Sequence, residues 1–258
     1  MGTGIESDFT KRFSNRVEYY IKYRPQYPGE LIGFLGGECG LSSLSIIADV
    51  GSGTGILSEM FLKNGNPVFG VEPNKEMREA AENLLKEYPN FRSINGVAES
   101  TTLDSSSVDF VTAGQAFHWF DVDKSRAEFL RILKPGGWTV LVWNSRKTDS
   151  TPFLKAYEEL LCNCGIDYEQ VRHRNVDENV LKRFFGAGGY KSKILHNVQE
   201  FDYESLKGRV LSSSYVPMKG HPKYEPMIEE LQKIFREHQT GETVTFEYDT
   251  EIYYGQIK

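Results

Sequence analysis

Between residues 45 and 143, short apolar runs alternate with segments of helical periodicity, and this alternation restricts the fold more than any other feature. Segments 45–50, 67–72, 91–97, 108–113 and 138–143 read as strands. Ile56, Leu57, Met60 and Phe61 mark one helix face, which stops at Asn64-Gly65. Asn74 can cap a second helix with Met77, Ala80, Ala81, Leu84 and Leu85 inward. Phe129, Leu130 and Leu133 give the buried side of a third, broken by Lys134-Pro135-Gly136-Gly137. Strands separated by helices imply crossovers and a parallel sheet covered on both faces, so the expected class is α/β, doubly wound.

Beyond residue 150 the pattern changes. Thr151-Pro152 opens a helix carrying Phe153, Leu154, Tyr157, Leu160 and Leu161, and another follows near 180–185. Segments 193–203 and 243–257 have strand character, the latter alternating Val244, Phe246 and Tyr248 with Thr245, Glu247 and Asp249. Helical segments at 204–213 and 222–238 lie between them. The 258 residues make about 1.7 typical domains, which fits one domain with an insertion.

Charge and cysteine usage narrow the function. Thirty Lys plus Arg against 36 Asp plus Glu leave a net charge of −6, which makes a nucleic-acid partner unfavourable. The most apolar stretch, 138–143, is far short of the ~20 residues that span a bilayer. Cys39, Cys162 and Cys164 cannot all pair, and the N-terminus has no signal-peptide pattern, so a cytoplasmic location is expected. Cys162 and Cys164 lack a matching second pair, and His173, His196, His221 and His238 lack ligand spacing, so no metal is expected.

In open α/β sheets the residues just beyond the strands face the ligand. After the first strand stands Asp49-Val50-Gly51-Ser52-Gly53-Thr54-Gly55. A dinucleotide fingerprint needs its third glycine three positions after the second, whereas Gly55 follows Gly53 by two. That spacing weakens a nicotinamide-dependent oxidoreductase without removing it.

The acid-x-Gly-x-Gly-x-Gly pattern resembles the first motif of class I S-adenosylmethionine-dependent methyltransferases. The resemblance implies that Gly51, Ser52, Gly53, Thr54 and Gly55 wrap the methionine part of the cofactor, with Asp49 near its ammonium group, directly or through water. Glu72, ending the second strand 17 residues after Gly55, would accept hydrogen bonds from both ribose hydroxyls. Pro73, Asn74 and Met77 would lie beside the ribose and adenine, though Met77 fits helix core equally well. Ala98 and Glu99 would line the adenine; the alternative for Glu99 is a helix cap or a solvated charge. Gln115 and Ala116 end the fourth strand, where the sulfonium methyl is expected.

Gln115-Ala116-Phe117-His118-Trp119-Phe120, together with Tyr23-Arg24-Pro25-Gln26-Tyr27-Pro28, looks like the type-11 branch that includes trans-aconitate methyltransferase-like proteins. His118 is the candidate base for an oxygen or nitrogen acceptor, and the alternative is that it orients the loop or fills space. The resemblance further implies a seven-stranded, mostly parallel sheet. Its expected layout is an N-terminal lid over 1–44 with Phe13, Tyr23 and Arg24, a cofactor core over 45–145, and the remaining sheet over 146–258 with a helical cap near 203–240. Tyr215, within Ser212-Ser213-Ser214-Tyr215-Val216-Pro217, would close the acceptor pocket beside Trp119. The expected partner is a small-molecule methyl acceptor, in a monomer or homodimer. The rivals are the oxidoreductase, a non-catalytic S-adenosylmethionine-binding protein, and a protein or RNA methyltransferase.

Overall fold

A computed structural model describes residues 22–166, 168 and 177–258. Phe13 of the expected lid lies outside the described residues. The elements in chain order are α1 (Glu30–Cys39), β1 (Ile47–Val50), α2 (Ile56–Lys63), β2 (Val68–Val71), α3 (Lys75–Leu84), β3 (Phe91–Ile94) and β4 (Val108–Gly114), then α4 (Val122–Ile132) and β5 (Leu133–Arg146). They continue with α5 (Pro152–Cys164), α6 (Glu178–Phe185), β6 (Lys191–Phe201), α7 (Tyr203–Leu211), α8 (Tyr224–His238) and β7 (Val244–Gly255).

The described residues form a seven-stranded sheet in the order β3-β2-β1-β4-β5-β7-β6. β1 to β5 pair in parallel, and β7 runs antiparallel between β5 and β6. The mostly parallel, doubly wound expectation holds. The strand order reverses between β1 and β4, and this opens the crevice in which such sheets bind ligands.

Burial explains the layers. β1 reads Ile-Ala-Asp-Val with all four residues buried, as a central parallel strand must be. One face packs Leu31 and Leu35 of α1 and Leu57 and Phe61 of α2 against Ile47, Val68 and Val140. The other packs Phe129 of α4 and Phe184 and Phe185 of α6 against Val50, Val111 and Leu141. In β7, Val244, Phe246, Tyr248, Thr250, Ile252 and Tyr254 are buried alternately along one side. The first three join a separate core with α5, α7 and α8, so the late helices cover the β5–β7–β6 end of the sheet.

Two sequence expectations fail locally. Leu84 and Leu130 were assigned to buried faces but are exposed. Neighbouring helical residues are turned by about 100°, so Leu85 and Phe129 take the core positions. Lys134-Pro135-Gly136-Gly137 does not simply precede a strand beginning at 138. It lies inside β5, where the β4–β5 register shifts between Val108 and Phe110, and Gly136 takes φ 81°.

Candidate functional site

The carboxyl ends of β1, β2, β4 and β5 meet at one edge of the sheet. In the loop after β1, Gly51, Gly53 and Gly55 have φ of 70°, 56° and 88°, backbone that L side chains avoid. Packing adds a second demand at Gly51. A Cβ there would lie 2.5 Å from the Ala116 Cβ and 3.4 Å from the Phe120 ring, so the loops after β1 and β4 approach as closely as backbone allows. At Gly53 the corresponding space is open.

Glu72 fastens this loop to β2. Its Oε2 accepts from the Gly53 N–H at 2.9 Å and its Oε1 from the Asn74 N–H at 2.9 Å. Burial pushes its carboxyl up, and the two N–H donors oppose that. Each oxygen keeps a further lone pair for a hydroxyl donor. Asn74 caps α3 by accepting from the Met77 N–H at 2.9 Å, and Met77 is buried in the helix–sheet core. Pro73 contributes its carbonyl to Arg78 Nη1 at 2.7 Å.

Asp49 lies beneath the loop and is 1% exposed. Its carboxylate accepts from Ser58 Oγ at 2.6 Å and from Thr112 Oγ1 at 3.2 Å. Burial pushes its carboxyl up to about 6, against these hydroxyl donors. Thr54 is equally enclosed, and its Oγ1 has no hydrogen-bond partner among the described residues. Ser52 belongs to the same turn, its N–H donating to the Val71 carbonyl at 3.2 Å.

Ala98 is buried, and Glu99 reaches the start of α4. Its Oε1 accepts from the Asp121 N–H at 2.7 Å, tying the loop after β3 to the start of α4. A bond that sequence reasoning missed supports the same junction: buried Glu128 accepts from the Thr101 N–H at 2.8 Å and is held down to about 2, chiefly by Arg131.

At the end of β4, Gln115 adopts φ 57°, rare for a residue with a side chain. Its N–H donates to the Val142 carbonyl at 2.9 Å and its Nε2 to the Asn144 carbonyl at 3.1 Å, which hold the strained turn. The 3-10 turn Phe117–Trp119 follows. Phe117 is buried against Phe184, centroids 4.6 Å apart, and half-buried His118 lies 4.7 Å from the Trp119 ring. Phe117 thus anchors a turn that carries His118 and Trp119 at the sheet edge.

The segment before α1 crosses this edge. A Cβ on Gly114 would lie 2.5 Å from Tyr27 Oη, placing Tyr27 against the end of β4. The Gln26 carbonyl accepts from Asn144 Nδ2 at 3.2 Å and Asn197 Nδ2 at 2.7 Å. Arg24 Nη2 donates to the Ser212 carbonyl at 3.1 Å, and Tyr23 packs where a side chain on Gly208 of α7 would stand. Tyr23 and Arg24 therefore join the cap helices, and Tyr27 joins the β4 end.

Tyr215 also belongs to the cap side. It lies 4.8 Å, centroid to centroid, from Tyr168, which accepts from Arg146 Nη2 at 3.1 Å and donates to Glu158 Oε2 at 2.7 Å. Arg146 ends β5, pairs with Glu158, and stands over the Tyr157 ring at 4.9 Å. Arg146 and Arg209 carried no sequence signal, because a buried arginine follows no periodicity or spacing that marks it.

The donor set suits a ribose-bearing cofactor: a part-buried carboxylate at the end of β2, a loop of left-handed glycines, and open space above Gly53. Among the described residues no cluster of His, Cys, Asp or Glu could hold a metal ion, and no helix is long and apolar enough to cross a membrane.

Residues 48–141 match the methyltransferase domain family. An uncharacterized methyltransferase of Schizosaccharomyces pombe is 27% identical over 249 residues, covering 94% of this chain and 96% of that one. An uncharacterized methyltransferase of Mycobacterium tuberculosis is 36% identical over 167 residues, 65% of this chain and 64% of its own. Among solved structures, a provisionally named type II methyltransferase from Anaeromyxobacter dehalogenans superposes with a TM-score of 0.70 at 22% identity, covering 91% of this chain and 98% of that one. A Haemonchus contortus phosphoethanolamine N-methyltransferase, solved with S-adenosylhomocysteine, gives 0.57 at 14% identity over 98% of this chain and 60% of that one. The domain match, the relatives and the shared fold agree: the chain is an S-adenosylmethionine-dependent methyltransferase with the class I fold.

Proposed function

We propose that the chain is a single methyltransferase domain that binds S-adenosylmethionine across the β1–β4 crevice and transfers its methyl group to a small-molecule acceptor under the late helices. The observation that carries this reading is Glu72. Its carboxylate is oriented by two backbone N–H groups at the end of β2, one of them from the glycine loop. Residues 51–55 would wrap the methionine portion, Ala98, Glu99 and Pro73 would border the adenosine, and Gln115 and Ala116 would face the methyl group. Asp49 lies under the loop, so its effect on the ammonium group runs through the loop or a water rather than through direct contact.

When bound, the cofactor supplies a methyl group already activated on sulfonium sulfur. The chain's own work is positioning and exclusion of water. Trp119 and the 22–28 segment would wall the crevice, and Tyr215 would close it from the cap. His118 would take the proton from an oxygen or nitrogen acceptor as the new bond forms. The acidic balance favours a small acceptor over a nucleic acid. Tyr23-Arg24-Pro25-Gln26-Tyr27-Pro28 and the 115–120 segment favour the trans-aconitate methyltransferase-like branch.

Incubation with isotopically labelled cofactor and cell extract, before and after removal of macromolecules, tests the acceptor class. Label appearing in the small-molecule fraction is expected, and label only in protein or RNA would refute it. With the acceptor so found, His118→Ala should lower kcat about 100-fold and leave S-adenosylhomocysteine affinity unchanged. Unaltered kcat would make His118 a packing residue.

A further inference from the structure

Under the cap, Arg209 is 6% exposed, and its Nη1 donates to the hydroxyls of Ser213 at 3.1 Å and Ser212 at 3.4 Å. Among the described residues no carboxylate pairs with it, and its Nε has no hydrogen-bond partner. Beside it, the buried hydroxyl of Tyr248 faces Arg209, a neutral phenol where a counterion would be expected. A buried cation is costly unless an anion and hydrogen bonds compensate it, and here the protein supplies only part of that compensation.

The surroundings add to the demand. Arg24 donates to the Ser212 carbonyl, and Arg146 stands over Tyr157, whose ring also lies near Arg209. Arg146 has the Glu158 carboxylate and the Tyr168 hydroxyl, whereas among the described residues Arg209 has hydroxyls and no carboxylate. The three arginines converge on one phenol: burial pushes Tyr215 up, and Arg209, Arg24, a Ser213 hydrogen bond and Arg146 outweigh it. Topology gives the cluster its place. Arg146 is the last residue of β5 and pairs with Tyr248 across the ladder, so the cluster lies at the same sheet edge as Gly114 and His118.

We propose that Arg209, flanked by Arg24 and Arg146 and completed by Tyr248, is an oxyanion subsite that takes a carboxylate or phosphate group of the methyl acceptor. This rests on the reading that the cap covers the acceptor. The subsite holds the acceptor by an ionised group and requires no bond to be made there. It also explains why a cation is kept where an apolar side chain would pack without penalty.

The test titrates succinate and inorganic phosphate, in separate arms at matched ionic strength with a chloride control, into the S-adenosylhomocysteine-loaded protein. Calorimetry and the thermal midpoint are the readouts. Saturable binding of at least one is expected, and the arm that responds distinguishes a carboxylate from a phosphate acceptor. Arg209→Gln should weaken that binding about tenfold or more, with S-adenosylhomocysteine affinity unchanged. Without added oxyanion, Arg209→Met should melt no lower than the parent. Should the Arg209 variants fail to fold, Arg24→Gln carries the test and should weaken oxyanion binding about threefold. No saturable response in either arm, or equal binding by the variants, would overturn the proposal. So would a tyrosinate absorbance present at neutral pH and indifferent to oxyanions, since Tyr215 would then be the counterion. Failure of the parent to bind S-adenosylhomocysteine would instead count against the cofactor reading.

Discussion

The two ends of the crevice bury charge in opposite ways. In the glycine-loop region the buried charges are carboxylates, and the chain satisfies them locally: Asp49 with Ser58 nine residues away and Glu72 with Gly53 nineteen residues away. In the cap region they are mainly arginines among phenols, only Arg146 being paired with a buried carboxylate, Glu158, and one of them is drawn in from far along the chain, Arg24 reaching Ser212 across 188 positions. The carboxylates of the first region all have hydrogen-bond donors within the chain. The cap leaves Arg209 with hydroxyls and no carboxylate among the described residues, which makes the two ends of the crevice electrostatically different.

Substitutions in the first region should act on cofactor binding, and substitutions in the second on the acceptor or its oxyanion. Gly51→Val is the most severe way to probe the division. It places branched carbon 2.5 Å from Ala116 in left-handed backbone, and S-adenosylhomocysteine affinity by calorimetry should fall more than about 100-fold. Retained affinity would mean that the two loops can separate freely, and the first region would lose its claim to rigidity.

A smaller effect concerns Asp49. Its folded carboxyl is pushed up to about 6, above the unfolded value near ~3.9, so the folded state holds the proton more tightly. The resulting stability is present below about pH 4 and is lost as pH rises through about 6. Denaturant titrations should show the parent losing about 2–3 kcal/mol relative to Asp49→Asn between pH 4 and pH 7. Parallel pH profiles for the two proteins would show that Asp49 is not enclosed as the geometry requires.

The same contrast explains what could be read in the sequence. The strand, glycine turn and N-cap around Asp49, Gly51, Glu72 and Asn74 are specified within a few tens of residues, so local pattern exposed the elements, while the roles of Asp49 and Glu72 came from the family resemblance. The alternation in 244–248 announced β7, but not its place between β5 and β6, which depends on pairing across the chain. Glu99 could be read as an adenine contact or a cap from its position, and one of its oxygens reaches the start of α4. Arg146 and Arg209 had no pattern to betray them, and the alternation gave Tyr248 only as a strand residue, because burial of a cation among phenols exists only after the cap has packed on the sheet. Leu84 and Leu130 show the converse, since an apolar side chain next to the core face is turned outward by the helix itself.

The central claim is that Glu72, held by Gly53 and Asn74, grips the cofactor through its ribose, and calorimetric titration of S-adenosylhomocysteine into the parent and Glu72→Ala tests it most directly. Loss of charge-assisted hydrogen bonds to the ribose predicts saturable binding by the parent and affinity about 10- to 100-fold weaker in the variant, with the fold retained. Equal affinity in the two proteins, or no binding by the folded parent, would contradict the account.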